Sequence, residues 1–130
     1  MSETPQTGAI GWIDLTVPNA DSVRDFYHAV TGWRPEPVAM GEYNDYIMTS
    51  AATGEPIAGV CHAHGGNRDL PAVWLIYIVV ESLPASIAAC EANGGEVIAQ
   101  PRAAGGGQFC LIRDPAGAVA ALYCAGKDPV

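Results

Sequence analysis

The sequence predicts an α+β fold in which two βαβββ modules form paired curved mixed sheets around a central cleft, within a single domain of 130 residues. Three observations carry this expectation. Trp74-Leu75-Ile76-Tyr77-Ile78-Val79-Val80 is rich in β-branched and aromatic residues and contains no Gly, Pro or charge, which marks a central strand. The chain reads Trp12-Ile13-Asp14-Leu15-Thr16-Val17-Pro18 sixty-two positions earlier, so that Trp12 aligns with Trp74, Val17 with Val79 and Gly32 with Gly94. The order strand, helix, strand, strand, strand then occurs twice, unlike the regular alternation of a doubly wound fold.

Module one is expected over about residues 10–64, a linker over 65–72 and module two over about 73–125. Ile10 to Val17 form the first strand, with Trp12, Asp14 and Thr16 on one face and Ile13, Leu15 and Val17 on the other. Pro18 stops it, Asn19 or Asp21 caps, and Ala20 to Thr31 form a helix with Val23, Phe26, Tyr27 and Val30 on one stripe, ended by Gly32. Trp33 to Glu42 hold a short extended segment and a loop. Tyr43 to Thr49 make the third strand, and Ala52-Thr53-Gly54-Glu55 a turn. Pro56 to His64 make the fourth, with Ala58, Val60, His62 and His64 sharing a face and Cys61 on the other.

In module two the Trp74 strand comes first. Ser82 caps a helix that tolerates Pro84 in its first turn and stops at Asn93-Gly94-Gly95. Glu96 to Gln100 give a short strand ending before Pro101, and residues 103–107 a loop. Gln108 to Arg113 and Ala118 to Ala125 are strands joined by the turn Asp114-Pro115-Ala116-Gly117.

Fourteen acidic residues against six basic ones give a formal charge of -8, and no Lys/Arg cluster occurs, which argues against a nucleic-acid partner. No apolar run approaches membrane-spanning length, and the N-terminus lacks the features of a signal peptide, so no membrane partner is expected and the cytoplasm is the expected location. Cys61, Cys90, Cys110 and Cys124 lack the close pairing of a zinc site or redox dithiol and read as buried free thiols.

The repeated module, with Asp25-Phe26-Tyr27 and Thr31-Gly32-Trp33 after the first strand and Asp114-Pro115-Ala116-Gly117 before the last, resembles the vicinal oxygen chelate superfamily over about residues 10–125. That superfamily includes glyoxalase I, extradiol dioxygenases, fosfomycin-resistance transferases and bleomycin-resistance proteins. The resemblance implies a homodimer and, in metal-binding members, a divalent ion held by the first and last strands of each module. The matching positions are Trp12, Ala58, Trp74 and Ala121, none of which can coordinate a metal. No cofactor is therefore expected.

Two tryptophans and two alanines pointing inward make an apolar cleft suited to a small, flat or aromatic molecule. Binding of such a ligand, in the manner of bleomycin-resistance proteins, is the first functional expectation. Tyr46 and Tyr123 are expected on the cleft wall, His64 at its edge, and Tyr77 under the helices. A second expectation is metal-independent lyase, isomerase or hydrolase chemistry, with Asp14 orienting His62 for proton transfer. A third is a divalent metal held by His62, His64 and Asp14, as in a glyoxalase- or dioxygenase-like enzyme.

Overall fold

A computed structural model describes residues 6–126. Its described residues divide into two units, 13–74, and 6–12 with 75–126. Each contains one helix and one four-stranded stretch of mixed sheet, and the element order is strand, helix and three strands, twice.

In the first unit, strand β1 (Ile10–Val17) pairs in parallel with β4 (Pro56–His62), which pairs antiparallel with β3 (Asn44–Thr49), which pairs antiparallel with β2 (Arg34–Ala39). Helix α1 (Ala20–Thr31) crosses from the end of β1 and stops at Gly32, while the His28 ring bonds the Trp33 carbonyl at 2.7 Å beyond the helix end. Its core consists of Leu15, Val17, Ala20, Tyr46, Met48 and Val60, with Val23, Tyr27, Trp33 and Trp74 packed against them. Fully burying a side chain such as Met48 contributes about 2 kcal/mol.

In the second unit β5 (Leu75–Val79) pairs in parallel with β8 (Val119–Ala125), followed by β7 (Gly107–Arg113) and the edge strand β6 (Glu96–Ala104). Helix α2 (Leu83–Ala92) starts at Ser82, whose hydroxyl accepts the Ala85 N–H at 3.3 Å. Leu83, Cys110, Leu122 and Cys124 form the core under α2, joined by Ile78, Val80, Ile87 and Ile112. The β7–β8 turn is tied by Asp114, whose carboxylate accepts the N–H groups of Ala116 and Ala118 at 2.8 and 3.0 Å, while Gly117 takes a φ of 91° that a side chain would strain.

Strand β6 continues through Pro101 to Ala104 instead of stopping before the proline. Register shifts flank the stretch between Val97 and Arg102, and an edge strand tolerates a residue that donates no ladder hydrogen bond.

The internal repeat is spaced by 63 residues, one more than the tryptophans suggest. Ala20 and Leu83 each open a helix, each is fully buried, and they follow the capping positions Asn19 and Ser82. Val80 thus matches Val17, and Leu75, not Trp74, matches Trp12. Because strand side chains alternate, this single step turns over the faces expected for the first strand of the second module, while Ala121 and Tyr123 keep theirs.

Candidate functional site

β1 lies beside β4 with Asp14 opposite Gly59, Leu15 opposite Val60 and Val17 opposite His62. Paired residues point to the same side of a sheet, so Ala58, Val60 and His62 lie with Leu15 and Val17 on the α1 side. Tyr46 and Met48, opposite Val60 and Ala58, join them. Trp12, Asp14 and Thr16 share the other face of β1, on the side of Gly59 and Cys61. The expected pairing of Asp14 with His62 is therefore corrected: the two residues occupy opposite sides of the β1–β4 pair. Ala58 and Tyr46 are likewise core residues beneath α1, 2% and 6% exposed, and do not line the face of Trp12.

The carboxylates that do meet His62 are Asp21, from the first turn of α1, and Asp45, from β3. His62 Nε2 stands 3.7 Å from Asp21 Oδ1, and Nδ1 stands 3.6 Å from Asp45 Oδ1, both beyond hydrogen-bond length. Asp45 also accepts the His62 backbone N–H at 2.8 Å, which fixes the strand end, while the buried Nδ1 has no hydrogen-bond partner. Tyr46 donates its hydroxyl to Asp21 at 2.6 Å and accepts from Arg24 Nη1 at 2.8 Å. The Asp21 carboxylate raises the Tyr46 hydroxyl above its ordinary range, and burial adds to the effect. Tyr43 packs edge-on against His62 and at 4.4 Å between ring centres against the exposed His64. Sequence reading missed Asp21 and Asp45. No signal along the chain marks either, because the register that sets Asp45 beside His62 joins two different strands.

Cys61, on the other side of β4, has its thiol pushed well above the usual range, first by burial and then by the carboxylates of Asp14 and Asp45. It is held as a neutral thiol, a poor nucleophile.

Trp74 also departs from expectation. It packs in the first unit against Tyr27 and Trp33, with ring centres 5.2 and 5.9 Å away. Its indole is part of the α1 core.

The second unit presents a different surface on the side of its sheet away from α2. Tyr77 lies opposite Ala121, and Arg102, Phe109 and Tyr123 lie in one row across β6, β7 and β8. Tyr77 meets Phe109 edge to face at 5.4 Å, and the Arg102 guanidinium sits 5.6 Å above the Phe109 ring. Tyr77 therefore lies opposite to the helix side expected for it, because the repeat runs one residue longer. The Tyr123 hydroxyl donates to the Gly105 carbonyl at 3.3 Å, and its ring crosses β7 at Gly107. A Cβ on Gly107 would stand 2.6 Å from that hydroxyl, so the missing side chain makes room for the ring.

Gly59 lies opposite Asp14 and Ala121 opposite Tyr77, so with Leu75 matched to Trp12 the positions corresponding to the chelating set are Trp12, Gly59, Leu75 and Ala121. None carries a donor atom, so these residues do not fit a divalent ion. Among the described residues no group of three or more His, Cys, Asp or Glu is arranged to hold a metal. His62 and Asp14 point to different sides, which separates the alternative set His62, His64 and Asp14.

Anthracycline biosynthesis protein DnrV of Streptomyces peucetius is 30% identical over 129 residues, covering 89% of this chain and 46% of that protein. DauV of Streptomyces sp. strain C5, of the same description, is 29% identical over 129 residues with the same coverage. The chain spans about half the length of these curated relatives. Two solved structures share the fold: NAD-dependent benzaldehyde dehydrogenase from Legionella pneumophila, with a TM-score of 0.59, 14% identity and coverage of 88% of this chain and 97% of that one, and methylmalonyl-CoA epimerase from Mycobacterium tuberculosis, with a TM-score of 0.56, 14% identity and coverage of 97% and 93%. The family model described as Glyoxalase/Bleomycin resistance protein/Dioxygenase superfamily matches residues 9–122. Two βαβββ units and a match over most of the chain lead to one conclusion: the protein belongs to the Glyoxalase/Bleomycin resistance protein/Dioxygenase superfamily.

Proposed function

We propose that this protein binds a small aromatic or partly apolar molecule against the sheet face that carries Tyr77, Ala121 and Tyr123, with Trp12 as a further contact. The observation that carries the reading is the half-buried pair of tyrosine rings on the side of the second sheet opposite α2, beside the small Ala121. Aromatic rings supply large contact area at low entropic cost, and the small neighbour leaves room for a flat ligand. Apolar and small residues at the positions where the family chelates a metal support binding without metal chemistry. The likeness to anthracycline biosynthesis proteins supports a fused-ring aromatic as the ligand class.

Titration with a panel of fused-ring aromatics, followed by intrinsic fluorescence, tests this reading. Saturable binding is expected, weakened at least tenfold in Tyr123→Ala. Absence of saturable binding across the panel overturns it. The resemblance to family members also supports a homodimer, which light scattering would report as twice the chain mass. Four free cysteines support a reducing compartment such as the cytoplasm.

A second reading, metal-independent proton transfer, is favoured by the His62 ring, which stands between two carboxylates with its Nδ1 orphaned. In that reading Asp45 orients the ring, and Asp14, on the other side of β4, has no part in the transfer. Product analysis with the bound ligands separates the readings: turnover lost in His62→Gln but kept in Asp14→Asn supports catalysis, and no product in the wild type overturns it.

A further inference from the structure

We propose that the ligand is an aromatic acid, with Arg102 as the group that receives its carboxylate. This rests on the binding reading above and names the polar half of the ligand.

Arg102, Phe109 and Tyr123 are directly opposed across three neighbouring strands, so they form a continuous row from the edge strand β6 towards the sheet interior. Phe109 is buried at 5% exposure and is the floor of the row. Arg102 lies over that floor, half-buried, where an edge-strand arginine free to extend would keep its head in water. Stacking on the ring fixes the plane of the guanidinium. A fixed planar fork matches a carboxylate in a way that a mobile ammonium does not.

Two further charged groups on β6 and β7 are committed to each other. Arg113 Nη1 bonds Glu96 Oε1 at 3.1 Å, at the opposite end of β7 from Phe109. Arg102 has a further interaction within the chain, and its five donors allow it to share. The chain as a whole carries a formal charge of -8, so its long-range field repels anions and a carboxylate would be selected by contact with Arg102, not by steering. Tyr77 and Tyr123 stand beside the same floor and would take the ring. An aromatic ring with a carboxylate at its edge satisfies both halves of the row, whereas an uncharged ring uses only one.

Calorimetric titration of matched pairs tests this: benzoate and benzamide, 2-naphthoate and 2-naphthamide, anthracene-2-carboxylate and its amide. The acid of the best-fitting ring should bind at least tenfold more tightly than its amide. Arg102→Gln should bring the two within threefold of each other, the affinity for the acid falling much further than that for the amide. Arg102→Lys, which keeps the charge and the packing on Phe109 but loses the fork, should fall between. Equal binding of acid and amide to the wild type overturns the aromatic-acid proposal and leaves the aromatic binding reading intact. Failure of every ring in both forms overturns the two together.

Discussion

The indole Nε1 of Trp74 donates to the hydroxyl of Tyr27 at 3.0 Å, which joins the last residue before β5 to the middle of α1. Trp74 thereby completes an aromatic cluster with Tyr27 and Trp33 inside the first unit. Trp74→Phe should lose the hydrogen bond and cost about 1 kcal/mol, and Trp74→Ala about 3 kcal/mol. Urea denaturation measures both. Ligand affinity should be unaltered in Trp74→Phe, which separates a core tryptophan from one that lines a binding face.

Tyr46 holds Asp21 and Arg24 through one oxygen atom. Tyr46→Phe keeps the buried ring and its contact with the guanidinium, which lies 4.7 Å from the ring centre, and removes both hydrogen bonds. The expected loss is about 1 kcal/mol, since Arg24 retains Asp25 at 2.9 Å and Asp21 is solvated. A loss above about 3 kcal/mol in chemical denaturation would show that the Asp21–His62 contact depends on Tyr46 as well.

Alkaline pH should destabilise the fold. Burial pushes the Cys110 thiol up from an ordinary 9.0 to about 11, with Cys90 as a second cause. The unfolded chain releases that proton from about pH 9, while the folded chain keeps it to about pH 11, so this stability is fully present below the first value and lost as the pH rises through the second. Burial moves Cys61 in the same direction. The Cys110 contribution amounts to about 3 kcal/mol over the window. Thermal melts between pH 8 and pH 11, values chosen to bracket it at roughly those two limits, should show a falling Tm whose slope is reduced in Cys110→Ala.

Gly107→Ala should be costly even though a strand normally gains from losing a glycine. The new methyl would collide with the Cys124 carbonyl and stand 2.8 Å from Tyr123 Cζ. A cost of about 1–3 kcal/mol is expected, as for overpacking in a filled interior. Because the ring of Tyr123 must move, the affinity for aromatic ligands should fall with it. Unchanged stability in denaturant would contradict the close approach.

Local chemistry made much of the fold legible. The bounds of β1 and α1, the Ser82 cap and the Asp114 turn depend on neighbours within a few residues, and the structure places them where composition and spacing do. What alternation along one strand cannot tell is which of its faces meets which face of the next. Alternation gives Asp14 and His62 the right face along their own strands, yet the pairing of Asp14 with Gly59 sets them on opposite sides. The second module shows the same limitation, because two tryptophans at similar places in a repeat are weaker markers than the buried first residues of the helices. The acid partners of His62 come from α1 and β3, so only tertiary structure unites them.

The spacing between Ala20 and Leu83 also sets a rule for building new proteins from this one. A chimera that duplicates either half must be spliced by superposing these two helix-opening residues. Splicing by superposing Trp12 on Trp74 would carry the first grafted strand in with its apolar side turned to the wrong layer. The tryptophans invite the wrong cut, and the helix starts mark the right one.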